Sequence, residues 1–277
     1  MSHLIPIDDP SDPRVAAYRD IKERDLVGRQ GLFIAEGETV LRAFVRDAPE
    51  RVVSLLVDGK RAGKLEDVFD ALPEGVPVHV VGQAVLDAIA GFHLHRGVLA
   101  VGRKPEPLGA QALLARAGPR AIVLVLMGIA NHDNLGGIFR NAAAFGVDGV
   151  ILDGECCDPF YRKAIRVSIG ATMSVPTAWL APGEDVVTLL ERHGFQGLAL
   201  SPSADETLAA LTPPARSAVL LGAEGPGLSA EVMARARTIG IPMAGGFDSL
   251  NVATTSGIVL HHLRFAAVEG KASACPE

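Results

Sequence analysis

The chain has 277 residues, 48% of them in the apolar set and 5% aromatic, and a formal net charge of −6. That supplies core for one large domain or two modest ones, built mainly from Val, Leu, Ile and Ala as in sheets covered by helices. The acidic balance argues against a surface that binds phosphate throughout, and leaves a local basic patch as the route to nucleic acid. Cys156, Cys157 and Cys275 have neither zinc-ligand spacing nor the look of a disulfide framework, so no metal site is expected. The opening MSHLIPIDDPSDP has no basic segment followed by an apolar run. The longest apolar stretch, Ala121 to Ala130, is too short to span a bilayer. A cytoplasmic protein without a membrane partner is the expectation.

The first third alternates between two periodicities. Strands are predicted at Gly31–Glu36, Val52–Gly59, Val76–Gly82 and Gly97–Gly102, with helices over 37–48, Leu65–Leu72 and Gln83–Ala90. KPEPLG at Lys104–Gly109 breaks the pattern and reads as a linker, followed by a short helix at Ala110–Ala117. The expected division is therefore 1–104, a linker over 105–117, and 118–277.

The second part alternates again. Ala121–Ile129 is a continuous apolar run, as in a strand buried on both faces. A helix over Leu135–Phe145 and a strand at Val147–Leu152 complete a βαβ unit. Further strands are predicted at Ser174–Leu180, Gln196–Leu200, Ser217–Gly222 and Thr238–Pro242. Helices are predicted at Tyr161–Ile169, Asp185–His193, Glu206–Leu211, Ser229–Arg237 and Leu250–Val268.

Ligands of open parallel sheets bind at loops leaving the carboxyl ends of strands. Three such loops have unusual contents. In GIANHDNLGGIFRNAAAFG, Asn134 is a candidate helix cap, and Arg140 follows six residues later. In one continuous helix these two would point about 120° apart, so they can share a ligand only if Asn134 sits in the loop or cap. An ordinary cap and a solvated arginine are the alternative. In LLGAEGPGLS, glycines surround Glu224, a carboxylate that needs a partner; the G-x-G-x-x-G dinucleotide pattern is absent. In IPMAGGFDSLNVATTSG, Ser249 is a candidate N-cap for the last helix and Asn251 falls in its first turn. Small residues follow, Ala253 and Gly257 among them, and permit close helix packing.

Together, in this order and spacing, the three loops resemble the SpoU/TrmH family of SPOUT RNA methyltransferases. The carriers are Asn134 to Arg140, Gly222 to Gly227, and Ile241 to Val252. Phe33–Phe44 and His95–Val101 similarly resemble the family's smaller N-terminal α/β substrate-binding domain, whose fold is like that of ribosomal protein L30e. The resemblance implies an α/β fold with a parallel sheet and a C-terminal trefoil knot. It also implies S-adenosyl-L-methionine as cofactor, RNA (ribosomal or transfer) as partner, and a homodimer whose active site draws on both subunits. The implied reaction is methylation of a ribose 2′-hydroxyl. Carried across, Arg140, Asn134, Glu224, Ser249 and Asn251 form the catalytic set. Gly222, Ile241 and Leu250 line the cofactor pocket through their backbone, with Leu200, Ser201, Glu224, Gly227, Met243 and Ala253 beside them. A guanidinium is always protonated, so Arg140 fits stabilisation of an alkoxide, or a hold on phosphate, better than proton abstraction. Tyr161, Arg162, Lys163 and Arg166 form a basic cluster expected to meet RNA phosphates or to be a solvated helix face. A non-catalytic RNA-binding protein of the same fold is the alternative.

Overall fold

The computed structural model describes residues 4–19, 31–245 and 249–266. Their contacts divide into two compact units, Met1–Glu106 with Asp158–Ser174, and Pro107–Cys157 with Val175–Glu277.

The first unit is a five-stranded mixed sheet. Its strands are β1 (Leu4–Ile7), β2 (Leu32–Glu36), β3 (Val52–Asp58), β4 (Val78–Val81) and β5 (Val98–Arg103), in the order β1-β4-β3-β5-β2. β5 runs antiparallel to both β2 and β3, while β1, β4 and β3 are parallel. Strand alternation serves two cores. Phe33, Ala35, Leu55, Val57, Val98 and Ala100 face one side with α1 (Glu38–Asp47). Ile34, Leu56, Leu99 and Val101 face the other with α2 (Gln83–Ala90).

The strand β1 was not expected from the sequence. It is four residues long, contains Pro6 and lies at the sheet edge, where a proline is tolerated because no ladder donor is needed there. The segment Asp158–Ser174, far beyond the linker in sequence, joins this unit through Phe160, Ile165 and Met173, which complete the core around Phe33 and Phe44.

The second unit is a six-stranded sheet in which every recorded pairing is parallel, ordered β11-β9-β10-β6-β7-β8. The strands are β6 (Ala121–Met127), β7 (Gly149–Leu152), β8 (Thr177–Trp179), β9 (Gln196–Leu200), β10 (Arg216–Gly222) and β11 (Arg237–Ile239). The apolar run of β6 is central and buried on both faces. One face is covered by α3 (Ala110–Arg116) and α5 (Val186–Arg192) through Leu113, Leu114, Val187 and Leu190.

The helices α4 (His132–Ala144) and α6 (Val252–Phe265) pack on each other. A Cβ on Gly137 would come within 2.8 Å of the Ala253 Cβ, so only glycine allows this approach. The expected strand at Ser174–Leu180 is shorter, and the final helix is described only as far as Phe265; the rest of its expected span to Val268 lies outside the described helix.

Candidate active site

Because the strands are parallel, their carboxyl ends share one edge. Gly222 at the end of β10 is in register with Met127 at the end of β6, and Ile239 at the end of β11 with Leu200 at the end of β9. All three loops singled out in the sequence leave from this edge. So does the loop after β9.

The helix α4 starts earlier than its apolar periodicity implied. Its N-cap is Asn131, not Asn134; the Asn131 side chain accepts from the backbone N–H of Asp133 at 2.8 Å and of Asn134 at 3.4 Å. Asn134 therefore lies in the first turn, buried at 6% exposure, with its side chain free for other partners. Likewise the cap of α6 is Asn251, not Ser249. Its Oδ1 accepts from the N–H groups of Ala253 at 2.9 Å and Thr254 at 3.2 Å.

These two corrections create a directional chain. The Asn251 oxygen is committed to the helix end, so its amide nitrogen faces outward and donates to the Asn134 Oδ1 at 2.8 Å. With that oxygen occupied, the Asn134 nitrogen donates to the Glu224 Oε1. The order is fixed because each amide has one acceptor end and one donor end. The positive end of the α6 dipole thus feeds, through two amides, toward an anionic carboxylate. Glu224 itself is exposed, and among the described residues its second oxygen has no hydrogen-bond partner, which leaves it accessible to a ligand.

Glu224 is presented by a tight turn. The Gly227 N–H donates to the Ala223 carbonyl at 3.0 Å, and a Cβ on Gly222 would lie 2.3 Å from the Gly227 carbonyl carbon. The glycines therefore serve the turn, and the turn holds the carboxylate over the edge.

Arg140 does not join this chain. The helix α4 is continuous from His132 to Ala144, so the two side chains diverge by about 120°. Arg140 is exposed, and among the described residues no hydrogen bond or ion pair of its side chain is recorded.

Of the residues expected around a cofactor, Leu200 and Ser201 lie at the end of β9 and Ile241 and Met243 follow β11, while Gly222, Glu224 and Gly227 belong to the end of β10 and its turn. The Ser201 N–H donates to the Ile239 carbonyl at 3.1 Å, and the Gly240 N–H to the Glu206 carbonyl at 2.7 Å. Beyond Gly240, no backbone–backbone hydrogen bond joins 241–245 or Leu250 to another described residue. Leu250 is 41% exposed, large for an apolar side chain, and Ile241 and Met243 are half-buried. Exposed and half-buried apolar side chains beside backbone amide and carbonyl groups suit a flat heteroaromatic ring with edge donors and acceptors, so these residues fit a nucleoside-bearing cofactor. Ala253 stands apart from them, packed against Gly137 inside the helix pair. Gly246, Phe247 and Asp248 of the third motif lie outside the described residues.

The basic cluster is employed differently from expectation. Arg162 donates to the Glu36 Oε2 at 2.7 Å, Arg166 lies 3.8 Å from the same oxygen, and Arg162 also covers the Phe92 ring at 5.1 Å. Glu36 is 6% exposed. The two arginines neutralise a buried carboxylate within the first unit and are not simply a solvated face.

Asn141 was missed. Its amide nitrogen donates to the Ala253 carbonyl at 2.7 Å and the Ser256 hydroxyl at 2.9 Å, locking α4 to α6. Its position four residues after Gly137, on the same helix face, was the available signal.

A parallel α/β domain whose strand-end loops converge on a carboxylate–amide chain at the carboxyl edge defines an enzyme-like class of protein. The comparisons narrow that class. Residues 121–261 match the SpoU rRNA Methylase family. An uncharacterised tRNA/rRNA methyltransferase of Mycobacterium tuberculosis is 40% identical over 266 residues, covering 91% of this chain and 89% of its own. The 23S rRNA (guanosine-2′-O-)-methyltransferase RlmB of Escherichia coli is 29% identical and that of Salmonella typhimurium 30%, each over 81% of this chain and 94% of theirs. A crystal structure of an RNA 2′-O ribose methyltransferase superposes with a TM-score of 0.77 at 27% identity, covering 94% of this chain and 98% of that one. The AdoMet-bound rRNA methyltransferase from Sinorhizobium meliloti has the same fold, with a TM-score of 0.77 at 24% identity and coverage of 98% and 99%. The chain belongs to the SpoU rRNA methylase family.

Proposed function

We propose that this chain is an S-adenosylmethionine-dependent methyltransferase acting on the ribose 2′-hydroxyl of a structured RNA, ribosomal or transfer. The observation that carries the reading is the chain Asn251–Asn134–Glu224, in which three sequence-distant loops converge on one open carboxylate. The guanosine-2′-O activity in the names of the RlmB relatives supports the ribose as acceptor.

When bound, S-adenosylmethionine supplies an electrophilic methyl group. Leu200, Ser201, Gly222, Gly227, Ile241, Met243 and Leu250 are the residues that would hold it, at and beyond the ends of β9, β10 and β11. The chain's own task is to align and activate a hydroxyl. The free Glu224 oxygen can accept its hydrogen bond, and Asn134 holds the carboxylate in place. Ser249, two residues before the cap of α6, would contact the RNA.

Arg140 enters this scheme only from a second subunit. In its own chain it points away from Asn134, so the partner's Arg140 would stabilise the developing alkoxide or hold a phosphate. A homodimer through α4 and α6 is supported by the apolar surface of α6, where Ile258 is 39% and Phe265 50% exposed. The close Gly137–Ala253 approach is in keeping with the trefoil knot that the resemblance implies, and the mixed sheet of the first unit with an L30e-like substrate-binding domain.

The test is transfer of labelled methyl from S-adenosylmethionine to total RNA, followed by alkaline hydrolysis. A 2′-O-methyl blocks cleavage at its own phosphodiester, so label should appear in alkali-resistant dinucleotides; label in mononucleotides would move the reaction to a base, and RNA binding without transfer would favour the non-catalytic reading. Arg140→Ala should lower transfer by about a hundredfold or more while cofactor affinity stays within about twofold. Wild-type turnover by that variant removes Arg140 from the mechanism.

A further inference from the structure

The loop after β7 grips the loop that precedes α4. Asp153 is the first residue beyond β7, and its Oδ1 accepts three backbone N–H groups: Gly128 at 3.0 Å, Glu155 at 3.1 Å and Cys156 at 3.0 Å. The Asp153 N–H donates to the Leu126 carbonyl at 3.1 Å, and the Cys157 N–H to the Ile129 carbonyl at 2.9 Å. The Cys156 sulfur accepts from the Ile129 N–H and donates to the Leu126 carbonyl, both at 3.3 Å. Burial pushes the Cys156 thiol up to about 12, so it stays a thiol and keeps the proton this second bond needs.

The gripped loop is constrained on its other side too. Gly128 has φ +70, and a Cβ there would stand 3.1 Å from the Ala223 Cβ. Ala223 directly precedes Glu224, and three residues beyond Gly128 the chain reaches Asn131, the cap of α4. The placement of 128–131 therefore sets both how closely the two motif loops approach and where the first turn of α4 presents Asn134.

We propose that Asp153, assisted by the Cys156 thiol, is a positioning residue for methyl transfer: it fixes the loop 128–131 and thereby the contact between Asn134 and Glu224. No hydrogen bond between Asp153 and Asn134, Glu224 or Asn251 is recorded among the described residues, so it acts through the backbone of another segment. This rests on the reading of Asn134 and Glu224 as parts of the methyl-transfer site. Asp153 follows β7, whereas the residues proposed to hold the cofactor follow β9, β10 and β11, so cofactor affinity and turnover should separate.

The experiment measures turnover with labelled S-adenosylmethionine and total RNA from cells lacking the protein, and cofactor affinity by direct titration. Asp153→Ala should reduce kcat about tenfold or more, with cofactor affinity within about twofold of wild type. Asp153→Asn keeps an acceptor oxygen for the three N–H groups and should restore most of the rate. Wild-type kcat in Asp153→Ala, an Asp153→Asn variant as slow as the alanine, or a parallel loss of cofactor affinity would each overturn the proposal. If Asp153→Ala does not fold, the thiol decides: Cys156→Ser should turn over faster than Cys156→Ala, and equal rates overturn it. Glu224→Ala in the same assay separates the two levels. Full activity there defeats the reading of the site itself, whereas its loss alongside an unaffected Asp153→Ala defeats only the positioning role.

Discussion

Two carboxylates stand at the ends of strands, one in each unit, and the chain treats them in opposite ways. Glu36 ends β2 and is buried, with Arg162 at 2.7 Å and Arg166 at 3.8 Å on the same oxygen. Glu224 follows β10 and is exposed, with a neutral amide on one oxygen and, among the described residues, no partner on the other. A buried carboxylate without a counter-charge is too costly to keep ionised, so Glu36 is neutralised and its chemistry is spent inside the fold. Glu224 keeps its charge available because a polarised amide orients it without cancelling it. The residue type is the same; the partner decides whether it builds the structure or serves a ligand.

The largest effect that would test this contrast is on stability. Arg162→Ala removes the main partner of a carboxylate that is 6% exposed, and should destabilise the first unit by about 3 kcal/mol, the lower end for breaking a buried pair. Urea unfolding measures it. Arg162→Lys should recover only part, because the planar group over Phe92 is lost. A loss below about 0.5 kcal/mol, usual for a surface substitution, would mean that Glu36 is solvated and the contrast false.

The converse is a change in rate without one in stability. Glu224→Gln keeps an acceptor for Asn134 and removes the charge. It should lower kcat by about ten- to a hundredfold, roughly 1.4 to 2.7 kcal/mol of transition-state stabilisation, while the urea midpoint stays at the wild-type value. If the midpoint falls as well, Glu224 shares the structural role of Glu36.

Much of the sheet was legible, and the reason is local. The run Ala121–Met127 has nowhere to turn a face to water, and the Gly-rich breaks bounded most of the other strands. The three loops of the candidate site were legible as a set because their spacing matched a known pattern. What failed were assignments that depend on partners. The polar series Asn131, His132, Asp133, Asn134 offers several caps, and the first apolar residue, Leu135, drew the helix start one turn too late. Arg162 and Arg166 read as a basic face because periodicity records which side of a helix a charge occupies, and never what lies opposite it; Glu36 is 126 residues away from Arg162 in sequence. The return of Asp158–Ser174 to the first unit was illegible for the same reason.

The smallest effect separates two residues that do the same local work. Asn131 and Asn251 both cap helices through Oδ1, and truncating either cap should cost about 1 kcal/mol. Asn251 has a second duty, because its amide nitrogen donates to Asn134. Aspartate caps a helix about as well as asparagine but has no N–H to give. Asn131→Asp should therefore leave both stability and turnover near wild type. Asn251→Asp should preserve the cap yet set a carboxylate against the Asn134 oxygen. That drives the Asn134 amide to flip, and its oxygen would then face Glu224. Turnover should fall several-fold with the unfolding midpoint within about 0.5 kcal/mol of wild type. Equal behaviour of the two aspartate variants would reduce Asn251 to a cap and cut the chain that links the end of α6 to Glu224.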